Sequence, residues 1–196
     1  MTVRKWLYLF LTTLLIGGIA ALATGLIMQG MDQEYSLLGI TGFDIFNTVV
    51  VGLTLSAFSQ MGFFSYMMVN YIAIDIIRKK YWWNMIQLAL VIIALFETAY
   101  LRYLSFGTGR SYLEFTDVPL LLLAAGLVTA YWKVSMTNRT AFIPTLFFMT
   151  AATAIEAVPA LRLDNPASTF FMLIPLIVCN AWQILILHKL LRAKKS

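Results

Sequence analysis

The sequence carries one cysteine, Cys179, and one histidine, His188. That inventory is too small for a zinc site built from several His or Cys ligands. It also argues against a Ser–His or Cys–His pair, which needs its base within hydrogen-bond reach of the nucleophile. Cys179 and His188 stand nine residues apart, about 13 Å along a helix. A lone cysteine cannot form an intrachain disulfide. Charge is scarce as well: charged residues make up 12% of the chain, against about 25% in ordinary soluble domains. Long polar stretches are missing, so no linker or soluble domain divides the chain.

What is present is apolar. Hydrophobic residues are 61% of the 196, well above the roughly 45–50% of soluble proteins. A soluble domain of this size leaves much of its surface in water and cannot hide so many apolar side chains. Lipid dissolves them directly. A helix needs about 20 apolar residues to cross about 30 Å of hydrocarbon. Six stretches qualify, near 6–28, 45–77, 83–104, 118–133, 140–160 and 168–191. The expected fold is therefore an all-α membrane protein: a single six-transmembrane-helix bundle, multi-pass in the cell membrane. Asp117 followed by Pro119, and Ser168-Thr169 after Pro166, suit helix starts. Pro159 and Pro175 predict kinks. The second stretch, 33 residues long, would extend about 50 Å as one helix, so it must tilt, break or protrude. A signal peptide is the competing reading of the N-terminus, since Arg4-Lys5, an apolar core and Ala21-Leu22-Ala23 fit its pattern. The apolar run is longer than a usual signal core, which favours a retained helix.

Orientation follows from the basic residues, which collect on the cytoplasmic side. Six crossings put Arg4, Lys5, Arg78, Lys79, Lys80, Lys133, Arg139, Lys189, Arg192, Lys194 and Lys195 on one side, eleven of the fourteen. Only Arg102, Arg110 and Arg162 fall on the other, with Asp32, Glu34, Asp44, Glu114, Asp117 and Asp164. Both termini are then cytoplasmic, and the basic tail 188–196 faces anionic lipid. The net charge of +5 reads as membrane anchoring rather than nucleic-acid binding, because the basic residues sit at segment ends.

Function must reside between helices or on the short basic ends. Glu97 and Glu156 lie inside apolar stretches, where ionisable groups are costly and usually face the bundle interior. Arg102 and Arg162 follow each of them toward the outer side. The four form a candidate intramembrane polar network, with Glu97 paired to Arg162 or Glu156 to Arg102; local hydrogen bonding or protonation of each carboxyl is the plainer alternative. Gly52, Ser56, Ser59 and Gln60 share one helix face. Asn180 and Gln183 share another, and Gly17, Ala21 and Gly25 make a small-residue stripe. Such residues let helices approach closely and hydrogen-bond, within the bundle or with a partner. Lys189, Arg192, Lys194 and Lys195 are candidates for a cytoplasmic docking or anchoring segment. The glycine pair in Phe106-Gly107-Thr108-Gly109-Arg110 lacks the context of a nucleotide loop and reads as a turn. No cofactor or metal is expected.

Several segments, in order, resemble a known family. They are Ser59-Gln60-Met61-Gly62-Phe63-Phe64, Leu101-Arg102-Tyr103 with Phe106-Gly107, Phe147-Phe148-Met149 with Glu156 and Pro159, and Pro175-Leu176 with Cys179-Asn180-Ala181-Trp182-Gln183. Together they are similar to the KbaA family, the KinB-signalling pathway activation proteins of Bacillus-type spore formers. The resemblance runs from the first helix to the basic tail and rests on order and spacing, not on one chemically specific motif. It implies an integral membrane regulator that activates the sensor histidine kinase KinB, which feeds the phosphorelay that initiates sporulation. It implies protein contact and no catalysis. A small transporter or channel using Glu97 and Glu156 is the alternative. Reporter fusions at Lys79 and at the carboxyl end are expected to report the same, cytoplasmic, face; opposite faces would overturn the six-crossing arrangement.

Overall fold

A computed structural model describes residues 3–31, 42–107, 111–163 and 165–192, with side chains described for 3–28, 45–107, 111–163 and 165–190. All the regular elements among them are helical. Hydrocarbon supplies no partner for backbone N–H and C=O groups, and a helix satisfies them within one segment. The long helices are α1 (Val3–Met31), α2 (Gly42–Ile77), α3 (Lys80–Phe106) and α4 (Asp117–Met136). After them come the short α5 (Phe142–Phe147), a π-helical turn (Phe148–Ala152), and the short α6 (Thr153–Glu156) and α7 (Val158–Leu161). The last helix is α8 (Pro166–Arg192). Single 3₁₀ turns at Tyr112–Phe115 and Arg139–Ala141 lead into α4 and α5.

Among the described residues five helices, not six, are long and apolar enough to cross a membrane. The expected span near 140–160 is the exception: it is chopped into three short α pieces and a π turn. Local chemistry explains the breaks. The Thr150 hydroxyl donates to the Leu146 carbonyl at 2.8 Å, and Thr153 donates to Phe148 at 3.4 Å. Such back-bonding competes with the helical ladder and bends it. Ala157, with ψ near −5°, separates α6 from α7. Pro159 falls in the first turn of α7, where its missing N–H is not needed. Pro175, by contrast, lies inside α8, which runs on through it.

The helix starts differ in detail from expectation. Asp117 Oδ1 accepts from the Val118 N–H at 2.8 Å, where a carboxylate also complements the helix dipole. The start of α8 is set by Asn165 rather than Ser168-Thr169: Asn165 Oδ1 accepts from the Ala167 N–H at 2.9 Å, and Pro166 takes the first helical position. Thr169 instead reaches out of α8 and donates to the Ala160 carbonyl at 3.2 Å.

Two groups of helices meet on the broken segment. α1, α2 and α8 pack on one another, α3 and α4 pack together, and the π turn touches α2, α3, α4 and α8. Phe148, Met149 and Thr150 of that turn are fully buried. Phe148 packs edge-on against Phe63 with centroids 5.5 Å apart and in a tilted arrangement against Tyr66 at 5.0 Å. Lys5 donates to the Leu190 carbonyl, so the start of α1 and the end of α8 lie at one end of the bundle. Lys133 donates to the Ile184 carbonyl, which brings the end of α4 there too. The broken segment therefore runs the length of the bundle, from the end of α4 to the first turn of α8. α2 is one unbroken helix of 36 residues, about 54 Å long, and exceeds the hydrocarbon thickness.

The crossing of α1 and α2 depends on two glycines. A Cβ at Gly17 would lie 2.5 Å from Ser56 Cβ and 2.7 Å from the Gly52 carbonyl oxygen, and one at Gly52 would lie 2.7 Å from Ala21 Cβ. At Gly18 the nearest atoms are side-chain tips at 3.8 and 3.9 Å. Gly17→Ala is expected to cost about 1–3 kcal/mol through overpacking, whereas Gly18→Ala should be neutral or stabilising by up to about 1 kcal/mol. Thermal unfolding in detergent distinguishes the two.

Candidate functional site: a polar network at the bundle centre

The residues singled out on α2 and α8 meet inside the protein. Ser56, Ser59, Gln60, Asn180 and Gln183 are each at most 2% exposed, and Gly52 is buried against α1. The Ser59 hydroxyl donates to Asn180 Oδ1 at 2.7 Å. Gln183 Nε2 donates to the Ser59 hydroxyl and to the Cys179 carbonyl. Asn180 Nδ2 donates to Thr153 Oγ1 at 2.9 Å and to Glu156 Oε2 at 2.7 Å. Gln60 reaches the other way, donating to the Phe10 carbonyl of α1 at 3.2 Å. The network therefore ties α2, α8 and the broken segment together.

Its donors are spent. The two amide hydrogens of Asn180, the two of Gln183, and the hydroxyls of Ser59 and Thr153 each have an acceptor. Glu156 Oε1, Gln183 Oε1 and Gln60 Oε1 are buried acceptors left without a donor. Glu156 lies across Gly62, where a Cβ would overlap its Oε1. Gly62 thus makes room for the carboxyl, and a cleft of 330 Å³ between α2 and the broken segment opens beside the two. Sequence spacing did not single out Gly62 or Thr153. Thr153 was legible only as one more hydroxyl in an apolar run.

The four charged residues expected to form one network are dispersed. Glu156 bonds Asn180, while Arg102, 4% exposed, has its Nε and Nη1 buried without a hydrogen-bond partner. Glu97 is exposed on α3 and lines a separate cleft of 290 Å³ with α7 residues. Arg162 is exposed just past α7. Lys133 turns inward to the Ile184 carbonyl and lies 3.4 Å from His188 Nδ1. His188 Nδ1 in turn donates to the Leu185 carbonyl at 2.6 Å. Lys189 is exposed, whereas the side chain of Arg192 and all of Lys194 and Lys195 lie outside the described residues. No group of three or more His, Cys, Asp or Glu side chains is placed to hold a metal ion among the described residues.

The chain is similar to proteins of known role. A family model, KbaA, described as KinB-signalling pathway activation in sporulation, matches residues 17–190. The KinB-signaling pathway activation protein of Bacillus subtilis (strain 168) is 34% identical over 185 residues, spanning 92% of this chain and 93% of that protein. No solved structure matches the chain.

Gly62→Ala is expected to destabilise by pushing the Glu156 carboxyl off its seat. The same substitution in a Glu156→Ala background should cost less, with a coupling of about 0.5–3 kcal/mol. Independent, additive losses in unfolding measurements would show that the two do not share a seat.

Proposed function

The chain belongs to the KbaA family, and from that membership we propose that it is a membrane-embedded activator of the KinB pathway in sporulation, acting on the sensor histidine kinase by contact and not by catalysis. On this reading it crosses the cell membrane six times with both ends in the cytoplasm. The broken segment makes the fifth crossing, which its end-to-end course through the bundle supports. The basic end, with Lys5, Lys79, Lys80 and Lys189, is then cytoplasmic, and the kinase phosphorelay begins on that side.

The observation that carries the proposal is how the polar groups are sorted. Ser59, Asn180 and Gln183 are buried and bonded to one another, so the central network holds the bundle together and offers these groups to no substrate. The basic end exposes Arg4, Arg78, Lys79, Lys80, Arg139 and Lys189. A membrane partner that contacts one state of a kinase better than the other shifts its equilibrium by that difference in affinity. About 1–3 kcal/mol of such coupling changes activity roughly 5–150-fold. The transporter reading draws on the carboxyl beside a helix break, a feature of transport sites. Against it, Glu97 and Glu156 line different clefts and outline no common path.

Replacing Lys189, Arg192, Lys194 and Lys195 together by Gln is expected to lower KinB-dependent sporulation output at least about fivefold, with the protein still present in the membrane. Unchanged output at normal membrane levels would exclude docking through the tail. Photocrosslinking from position 189 to the kinase itself reads the contact directly.

A further inference from the structure

A third cleft, of 610 Å³, lies between the C-terminal halves of α2 and α8. Its walls include Met67 and Ile74 of α2 and Ile184 and Leu187 of α8, all apolar. Its deep end is Tyr66, whose hydroxyl donates to the Pro144 carbonyl at 3.2 Å. Its outer end carries two charges, Asp75 and Arg78. These stand three residues apart, so they share one face of α2. Both are exposed, and neither side chain has an ion pair or hydrogen bond among the described residues. Arg78 adopts φ 55° and ends the helix, with its backbone N–H on the Ile74 carbonyl. From Tyr66 to Arg78 the cleft runs about 18 Å along α2. One leaflet of a hydrocarbon core about 30 Å thick is about 15 Å deep.

We propose that this cleft seats one phospholipid whose headgroup carries both a phosphate and a primary amine. Apolar walls one leaflet long take an acyl chain, and the charged end lies at headgroup level. Basic pockets between transmembrane helices on the cytoplasmic side hold lipid headgroups. Here the basic residue is accompanied by an unpaired acid. A purely anionic headgroup would meet Arg78 favourably and Asp75 unfavourably. A phosphate with an ammonium satisfies both, the phosphate on the guanidinium and the ammonium on the carboxylate. A primary ammonium donates hydrogen bonds to the carboxylate, and a quaternary one has no N–H to donate. The inference stands apart from the kinase reading, since it concerns the bilayer alone.

The test uses the full chain, reconstituted in equal parts of ethanolamine, glycerol and choline phospholipids and then extracted in mild detergent. Retained lipid is counted by mass spectrometry. One ethanolamine lipid per chain is expected, enriched about fivefold over the other two, the scale of one exposed ion pair. Asp75→Asn should bring the glycerol lipid to parity with it. Arg78→Gln should lower retention of both about fivefold, while Arg139→Gln, which does not line the cleft, changes neither. Both cleft positions are exposed, and circular dichroism verifies that the variants keep their helices. Equal retention of all three lipids, preference for the glycerol lipid in the unsubstituted chain, or a co-purifying protein helix in place of lipid would each overturn the assignment.

Discussion

A polar group sealed inside an apolar bundle is costly unless the protein itself supplies it a hydrogen-bond partner. In this chain that requirement converges on Asn180. Its side chain accepts from Ser59 on α2 and donates to Thr153 and Glu156 on the broken segment, while Gln183, one turn further along α8, braces Ser59. Three elements distant in sequence are held in one register by these bonds. The closeness of the elements follows from the same point. Gly62 has no side chain because the Glu156 carboxyl lies where one would be.

The segment from Phe142 to Leu161 occupies the middle of the bundle yet is the least regular part of it. These two facts belong together. A helix on the periphery can be straight, but one wedged among α2, α3, α4 and α8 must turn its side chains to suit four neighbours. The π turn re-aims Phe148 and Met149 into the core and lets Thr153 face Asn180. Irregular backbone is tolerated there because protein surrounds it.

The polar centre is occupied with bonds between helices. The two ends differ sharply. One gathers Lys5, Lys133, His188 and Lys189 with the turn Arg78-Lys79-Lys80. Some of this charge is spent on capping helix carbonyls, as Lys5 and Lys133 do, and the rest is exposed. The overlong α2 carries that turn and, beneath it, the cleft shared with α8. Membership in the family of KinB-signalling pathway activation proteins sits naturally with such an arrangement: a hydrogen-bonded polar centre and a charged face on one side.

Hydropathy was enough to locate five continuous apolar helices, because solvent preference is a property of each stretch taken alone. Helical spacing put Asn180 with Gln183 on one face, and both meet Ser59 or its partners, whereas Gln60, grouped with Ser59 by spacing, turns to the Phe10 carbonyl of α1. Pro159 announced a disturbance in the fifth stretch but not the π turn. Which groups bond across helices was not legible: Glu156 met Asn180 rather than the Arg102 of one candidate pairing, and Lys133 turned inward to the Ile184 carbonyl of α8. Those outcomes depend on the axial offset and crossing geometry of helices far apart in sequence. Packing of the whole bundle sets that offset, and no local pattern encodes it.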